Sequence, residues 1–347
     1  MKYCLLIGVL TAAMCVGCGD PAEQMLQVDA NQGKMALAMK GSGKDLQDRY
    51  IISEHRTPKL SDGTVLDVWI LIASAKATDL TEGQPRGTVL LIHDIGKSKA
   101  SMLGLGQELS RVGYDVVLPD LRAHGRTSGK YFTYGAKEKT DLAALMDQLL
   151  RERTVDSNVY AFGRGMGGSI AIGYASIHPK CKGVIAQHPY AGPRPVLKKR
   201  PQFVLMSNDE LSEVMEDGAK LGGFKLEETS TIQAARRLKC PLLILSQSNV
   251  FSSDVDSQAI LDATNSPKLK ENIASMEYAL KPSVYLADKI DAFITGRIEI
   301  PGRTVIGVER DAPEPGSTGA SDEPPPPHTV RPAPADSADK MTPPVYD

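Results

Sequence analysis

Three observations predict an α/β protein with a mostly parallel sheet covered by helices on both faces. Gly87-Thr88-Val89-Leu90-Leu91-Ile92-His93 is a continuous apolar run, the pattern of a strand buried on both sides. From there, short apolar runs alternate with helix-period segments as far as residue 295. Midway, the strand-like Asn158-Val159-Tyr160-Ala161-Phe162 enters a six-residue turn, Gly163-Arg164-Gly165-Met166-Gly167-Gly168. A small-residue helix, Ser169 to Ala175, leaves that turn.

The elements follow in order. Tyr50-Ile51-Ile52 and Val65 to Leu71, split by Ser61-Asp62-Gly63, read as a hairpin. After the Gly87–His93 strand come a helix near Ala100 to Val112 and the strand Asp115-Val116-Val117-Leu118-Pro119. A helix from Lys139 to Arg151 carries Leu142, Leu145, Met146 and Leu149 on one face. The glycine turn and its helix lead to the strand Gly183 to Ala186. Residues 190–239 break the rhythm, and Ser207-Asn208-Asp209-Glu210 is a capping box that opens a helix there. With a second helix over Thr231 to Leu238, this stretch reads as a small helical cap insertion over the C-terminal edge of the sheet. Pro241 to Leu245 is a strand and Asp256 to Ala263 a helix; Ile273 to Leu280 is the expected last strand and Tyr285 to Thr295 the last helix.

The 347 residues thus divide into an N-terminal segment 1–17, a tether 18–45, a folded domain 46–300 and a tail 301–347. A hydrophobic fraction of 41% supports a sizeable core, and a net charge of −2 gives no electrostatic case for nucleic acid. The tail is rich in Pro, Asp, Ser and Glu, including Pro324 to Pro327, and is expected to be disordered because it has too little apolar surface to bury.

At the N-terminus, Lys2 precedes an apolar run from Leu5 to Val16 that ends at Gly17-Cys18. The run is shorter than a membrane span and reads as a secretory signal. The small residue followed by Cys18 resembles the lipobox of bacterial lipoproteins, in which the cysteine is acylated. Cys15 stands where that motif usually has Leu, and ordinary cleavage nearby or a retained anchor are the alternatives. Each alternative takes the protein out of the cytoplasm, and lipidation at Cys18 would hold it on an extracytoplasmic membrane face of the cell envelope.

A sharp strand-turn-helix with small residues around its centre is the nucleophile-elbow pattern, G-x-S-x-G. Here the centre is Gly165, which tolerates the strained turn and supplies no hydroxyl. The turn does not match a phosphate loop, which needs a closing Lys-Ser/Thr pair. Leu91-Ile92-His93-Asp94-Ile95-Gly96 is similar to an H-G-x-G turn, and Pro119 to Thr127 to a D-x-R-G-H-G-x-S turn. Together with the elbow, in this order and spacing, these residues resemble the α/β-hydrolase superfamily, in its serine esterase and peptidase-like branch. The resemblance spans Asp48 to Thr295 and implies an eight-stranded sheet with its site at the strand C-termini.

The resemblance also implies a catalytic triad, and this sequence does not supply it. The nucleophile position is Gly165. The acid region after Leu245 reads Ser246-Gln247-Ser248-Asn249-Val250, so Asn249 and Val250 stand where a carboxylate is expected. Asp254 and Asp256, further on, read as the start of a helix. No histidine follows the last strand, and the only one beyond His188 is His328, in the tail. An oxyanion hole would use the backbone N–H groups of Met166 and Ile95, but Asp94 stands where the family has Gly, and its carboxylate would oppose a developing oxyanion.

His93, Asp94, His124, Arg164 and His188 are the expected pocket-lining residues, with Arg164 either pointing into the pocket or packing on a neighbouring helix. Ser98, Ser101 and Ser169 are the substitutes for a nucleophile, against capping or solvent contact as the plainer role. The three histidines with Asp94 lack a local ligand pair, so no metal and no cofactor is expected. Asp120 and Arg122 read as braces of their loop. Cys181 and Cys240 each precede a strand, and in the resembled fold those strands are parallel neighbours; a disulfide or two buried free thiols are the alternatives. The resulting expectation is a membrane-tethered pseudo-hydrolase that binds a small molecule, a peptide or a partner protein. The alternative is an active hydrolase of esters or peptides with a non-standard nucleophile or a metal.

Overall fold

Helices and strands alternate through a single eight-stranded sheet. A computed structural model describes residues 19–28, 52–78, 83–246, 254–273 and 276–303. The strands are β1 (Glu54–Arg56), β2 (Val68–Leu71), β3 (Thr88–Ile92), β4 (Asp115–Pro119), β5 (Val159–Arg164), β6 (Cys181–Gln187), β7 (Leu242–Ser246) and β8 (Lys268–Asn272). Their order is β1-β2-β4-β3-β5-β6-β7-β8. β2 pairs antiparallel with β1 and β4, and every other pairing is parallel.

The helices are α1 (Pro21–Leu26), α2 (Ala75–Thr78), α3 (Leu103–Arg111), α4 (Glu138–Arg151), α5 (Met166–Ile177), α6 (Pro193–Leu197), α7 (Asn208–Gly222), α8 (Thr231–Arg236), α9 (Asp254–Ala263), α10 (Met276–Leu280) and α11 (Pro282–Ile294). β3, β4 and β7 are buried at every position, as strands with helices on both faces must be. Two apolar layers result. Leu142, Leu145, Met146 and Leu149 of α4 join the layer with α5, and Leu103, Leu105 and Leu109 of α3 join the layer with α11.

The expected capping box is present: the Ser207 side chain accepts from the Glu210 N–H while the Glu210 carboxylate accepts from the Ser207 N–H. The helices of residues 190–239 lie between β6 and β7, and α8 packs on α5 and α9 as part of the flanking layer. Two expectations are corrected. The last strand is β8, and Met276 to Leu280 is helical. β8 sits at the sheet edge with its residues only partly buried, so its Lys-Leu-Lys-Glu-Asn sequence lacks the apolar signature of a central strand. The second correction concerns the tether. Residues 21–26 form α1, and Met25 and Leu26 are fully buried against the body. Cys18, Asn249, Val250, the tail from residue 304 on and most of the expected tether lie outside the described residues.

Candidate functional site

The glycine turn joins β5 to α5 at the C-terminal edge of the sheet. Gly165 has φ 56° and ψ −125°, a left-handed conformation that side chains rarely adopt. Its neighbours are held by close backbone approach. A Cβ on Gly163 would run into the Gly167 carbonyl, and one on Gly167 into the carbonyls of Ile92 and His93. The strand-turn-helix packing is therefore that of an elbow, and the outer glycines are required by contact.

Asp94, the second residue after β3, fills the centre of this turn. Its Oδ1 accepts from the N–H of Ile95 at 2.8 Å and from the N–H of Met166 at 2.8 Å. A Cβ on Gly165 would fall inside the van der Waals envelope of the same carboxylate. Burial dominates and pushes the Asp94 carboxyl above its ordinary range, while the two N–H groups and the charges of Arg164 and Lys97 pull the other way. The two N–H groups that the sequence singled out do converge on one oxygen, and that oxygen belongs to the protein.

His93 and His124 face each other with ring centroids 5.1 Å apart, and both are almost wholly buried. Their nitrogens are committed to backbone. His93 Nε2 accepts from the Leu121 N–H at 3.0 Å, and its Nδ1 is 2.9 Å from the Asp94 carbonyl. His124 Nε2 accepts from the Gly96 N–H at 3.1 Å, with Nδ1 2.8 Å from the Arg122 carbonyl. An Nε2 that accepts requires the proton on Nδ1, so both rings are neutral and held as one tautomer. Burial depresses both, His124 to about 3, where the neighbouring His93 adds to the effect. The expectation that these two rings line a pocket is corrected: they brace the loops after β3 and β4 from inside.

The same loops are tied by Asp120 and Arg122, as their place in the motif suggested. Asp120 accepts from the N–H groups of Lys99 and Arg126 at 2.7 and 3.0 Å and pairs with the Lys99 ammonium. Arg122 forks onto Asp141 at 2.9 and 2.7 Å and donates to Thr64.

Arg164 ends β5 and is half-buried. Its Nε donates to Gln187 Oε1 at 2.9 Å, and the Gln187 amide donates to the Tyr278 hydroxyl at 2.7 Å. This chain links the ends of β5 and β6 to α10. Gln187 and Tyr278 carried no local sequence signal, because they meet across 91 residues. His188 follows at the end of β6 with φ 50° and a buried Nε2 that has no hydrogen-bond partner among the described residues. Burial, then the charges of Arg164 and Lys199, keep its imidazole below the ordinary value.

The substitute serines are engaged elsewhere. Ser101 donates to the Ser98 carbonyl, and the Ser169 hydroxyl donates to the Tyr190 carbonyl while accepting from the Tyr190 N–H, both at 2.8 Å. Ser98 itself is buried. No serine or cysteine side chain hydrogen-bonds a histidine among the described residues, and no cluster of three metal-ligating side chains occurs there. Asp254 opens α9 and Asp256 lies in its first turn.

Comparison with known proteins follows this geometry. The family profile described as Serine aminopeptidase, S33, matches residues 83–237, which span β3 to just past α8. Lipase 1 of Psychrobacter immobilis is 32% identical over 98 residues, 28% of this chain and 29% of its own length. The uncharacterized protein YqkD of Bacillus subtilis is 26% identical over 165 residues, 46% of this chain and 53% of its own length. The chain thus spans about half or less of the curated relatives it matches. An esterase of Pyrococcus furiosus superposes with a TM-score of 0.55 at 19% identity, covering 74% of this chain and 94% of the esterase. An alpha-beta hydrolase of Vibrio vulnificus gives 0.54 at 15% identity, covering 77% and 91%. Sheet order, elbow and these likenesses agree that the chain has the α/β-hydrolase fold.

Proposed function

We propose that this protein is a non-catalytic member of the hydrolase-fold proteins, anchored by lipid at Cys18 on an extracytoplasmic membrane face, and that it acts by binding a small molecule, a peptide or a partner protein. The observation that carries the reading is the Asp94 carboxylate on the N–H groups of Met166 and Ile95, above a turn whose centre is Gly165. A tetrahedral oxyanion would have to displace a bound carboxylate from the donors that stabilise it. Loss of even one such donor costs about 3 kcal/mol of transition-state stabilisation, and here both are engaged. The commitment of His93 and His124 to backbone removes the nearest bases.

A second reading has one observation in its favour. The Asp94 carboxylate stands where the side chain of an elbow nucleophile would lie, and a carboxylate is itself a competent nucleophile. One experiment separates the two. Turnover of a short-chain p-nitrophenyl ester and labelling by a fluorophosphonate are measured for the unmodified chain and for Asp94→Asn. The non-catalytic reading expects buffer-rate hydrolysis and no label in either protein. Turnover well above buffer that Asp94→Asn abolishes would establish the carboxylate as the active group, and a label mapped to a serine would overturn both readings.

A further inference from the structure

The ends of β5 and β6 bring a second set of polar side chains beside the elbow. The Gly165 N–H donates to the Gln187 carbonyl at 2.8 Å, so His188, the residue after that carbonyl, is next to the elbow centre. His188 has φ 50°, a left-handed conformation uncommon outside glycine, and its N–H donates to the Leu245 carbonyl at 3.0 Å. Two residues on, the Ser169 hydroxyl of α5 bonds both backbone groups of Tyr190 at 2.8 Å. Residues 187–190 are thus tied to β7 on one side and to the first turn of α5 on the other. The backbone that carries the imidazole is fixed.

The ring itself is incomplete. Its Nε2 is buried and has no hydrogen-bond partner among the described residues, which is rare for a polar atom inside a folded protein. Arg164 is incomplete in the same way, with a charge. Its Nε is committed to the neutral amide oxygen of Gln187, and its two terminal nitrogens make no hydrogen bond or ion pair among the described residues. Arg56, Arg86 and Arg122, by contrast, each meet a carboxylate. Gln187 is fixed in turn by the Tyr278 hydroxyl at 2.7 Å, so the planar guanidinium is held along one edge. Burial, then the charges of Arg164 and Lys199, keep the His188 ring neutral. Lys199 lies 4.6 Å over the Tyr190 ring, with Nζ 3.2 Å from the hydroxyl. The nearby Asp94 feels the Arg164 charge, but its Oδ1 sits on the N–H groups of Ile95 and Met166.

We propose that the terminal nitrogens of Arg164 and Nε2 of His188 bind the carboxylate of a small organic acid. The proposal rests on the reading of this protein as one that acts by binding, and it names the class of ligand the elbow takes. A guanidinium fork matches the two oxygens of a carboxylate, and a neutral imidazole with its proton on Nε2 donates to one of them. A neutral amide of the same shape would take the His188 bond and leave the Arg164 charge unanswered. Arg164 and His188 are both half-buried, so a group that reaches them enters below the surface, which suits a small acid better than a folded partner. Asp94 keeps its own place, its charge offset by two backbone donors at the start of α5. The ligand carboxylate is held by side chains and the protein's own by backbone.

The test titrates the full chain with hexanoate, hexanamide and inorganic phosphate by calorimetry, and follows the His188 imidazole by nitrogen-15 NMR. Hexanoate should bind at least about tenfold tighter than hexanamide, because bonds to a charged partner are at stake, and should move the Nε2 resonance. Arg164→Lys keeps the charge and loses the fork, while His188→Asn accepts the positive φ and loses the ring. Each should weaken hexanoate about tenfold and leave hexanamide unchanged. The comparison of ligands on the unmodified chain needs neither variant to fold. Equal binding of hexanoate and hexanamide would keep a binding function and overturn the carboxylate site. No binding of hexanoate, or an Nε2 resonance that it does not move, would overturn the site as well. Phosphate bound as tightly as hexanoate would overturn its assignment to carboxylates. Turnover of the p-nitrophenyl ester would discard the non-catalytic reading alone, since the preference for hexanoate over hexanamide is measured without it.

Discussion

The Asp94 carboxylate and the bare Cα of Gly165 share one place in the fold. Oδ1 of Asp94 takes the N–H groups of Ile95 and Met166, and a side chain on residue 165 would meet the same carboxylate. A side chain on residue 165 and the Asp94 carboxylate therefore exclude each other at this place.

Restoring serine at the elbow should accordingly damage the protein without awakening it. Gly165→Ser combines strain at a positive φ with displacement of a carboxylate from two hydrogen bonds, for an expected loss of about 3 kcal/mol in urea unfolding. The double variant with Asp94→Gly removes the clash and should lose about 1–2 kcal/mol less than the sum of the single changes. Simple additivity would mean that the two sites do not touch.

The two buried histidines make a spectroscopic prediction. Nitrogen-15 NMR of the imidazoles should show Nδ1–H and a bare Nε2 for both His93 and His124, with His124 still neutral at pH 5. Histidines that titrate near pH 6.5 would contradict the geometry.

The same groups set the sign of a pH effect on stability. The folded-state pKa of His124 is depressed to about 3, so below pH 6.5 the unfolded chain binds the proton first. Its contribution is intact above pH 6.5 and is lost as the pH falls towards 3. At pH 5 the loss attributable to His124 is about 2 kcal/mol. Subtracting the pH dependence of His124→Gln from that of the unmodified chain, by urea midpoints between pH 7 and 5, isolates it.

Cys181 and Cys240 stand side by side as buried free thiols, with their strands in register from Val184 opposite Leu242. Cys240 and then burial push the Cys181 thiol up, while Cys181 holds the Cys240 thiol below its ordinary value. Glutathione disulfide should convert them to a cystine, each thiol giving up its hydrogen while the oxidant becomes two glutathione molecules. Intact mass before and after reduction and alkylation reads this directly. Two alkylatable thiols after prolonged oxidation of the native protein would rule it out.

Docking of α1 has an energetic consequence that a tether would lack. Met25→Ala empties a fully buried site against Gly218 and should cost about 2–5 kcal/mol of stability by denaturant titration. A midpoint equal to that of the unmodified chain would mean that α1 contributes nothing to the fold.

Much of the architecture was determined by local sequence. β3, β4 and β7 are apolar along their whole length because helices cover both faces, and that pattern needs no tertiary knowledge to read. The elbow glycines, Gly165 at the centre of the turn among them, and the capping box at Ser207 were equally local. β8 escaped because an edge strand carries little apolar periodicity, and α1 because six residues are too few to show a helical stripe. What the tertiary structure alone decided is who meets whom. Asp94 and Met166 are 72 residues apart, Gln187 and Tyr278 91, and Met25 and Tyr134 109. Sequence listed Asp94 as a misfit in an oxyanion turn, but only the parallel pairing of β3 with β5 puts its carboxylate on the Met166 N–H. Hydrogen bonds of that kind depend on strand order and loop path, which residue types constrain only through the packing of the whole sheet.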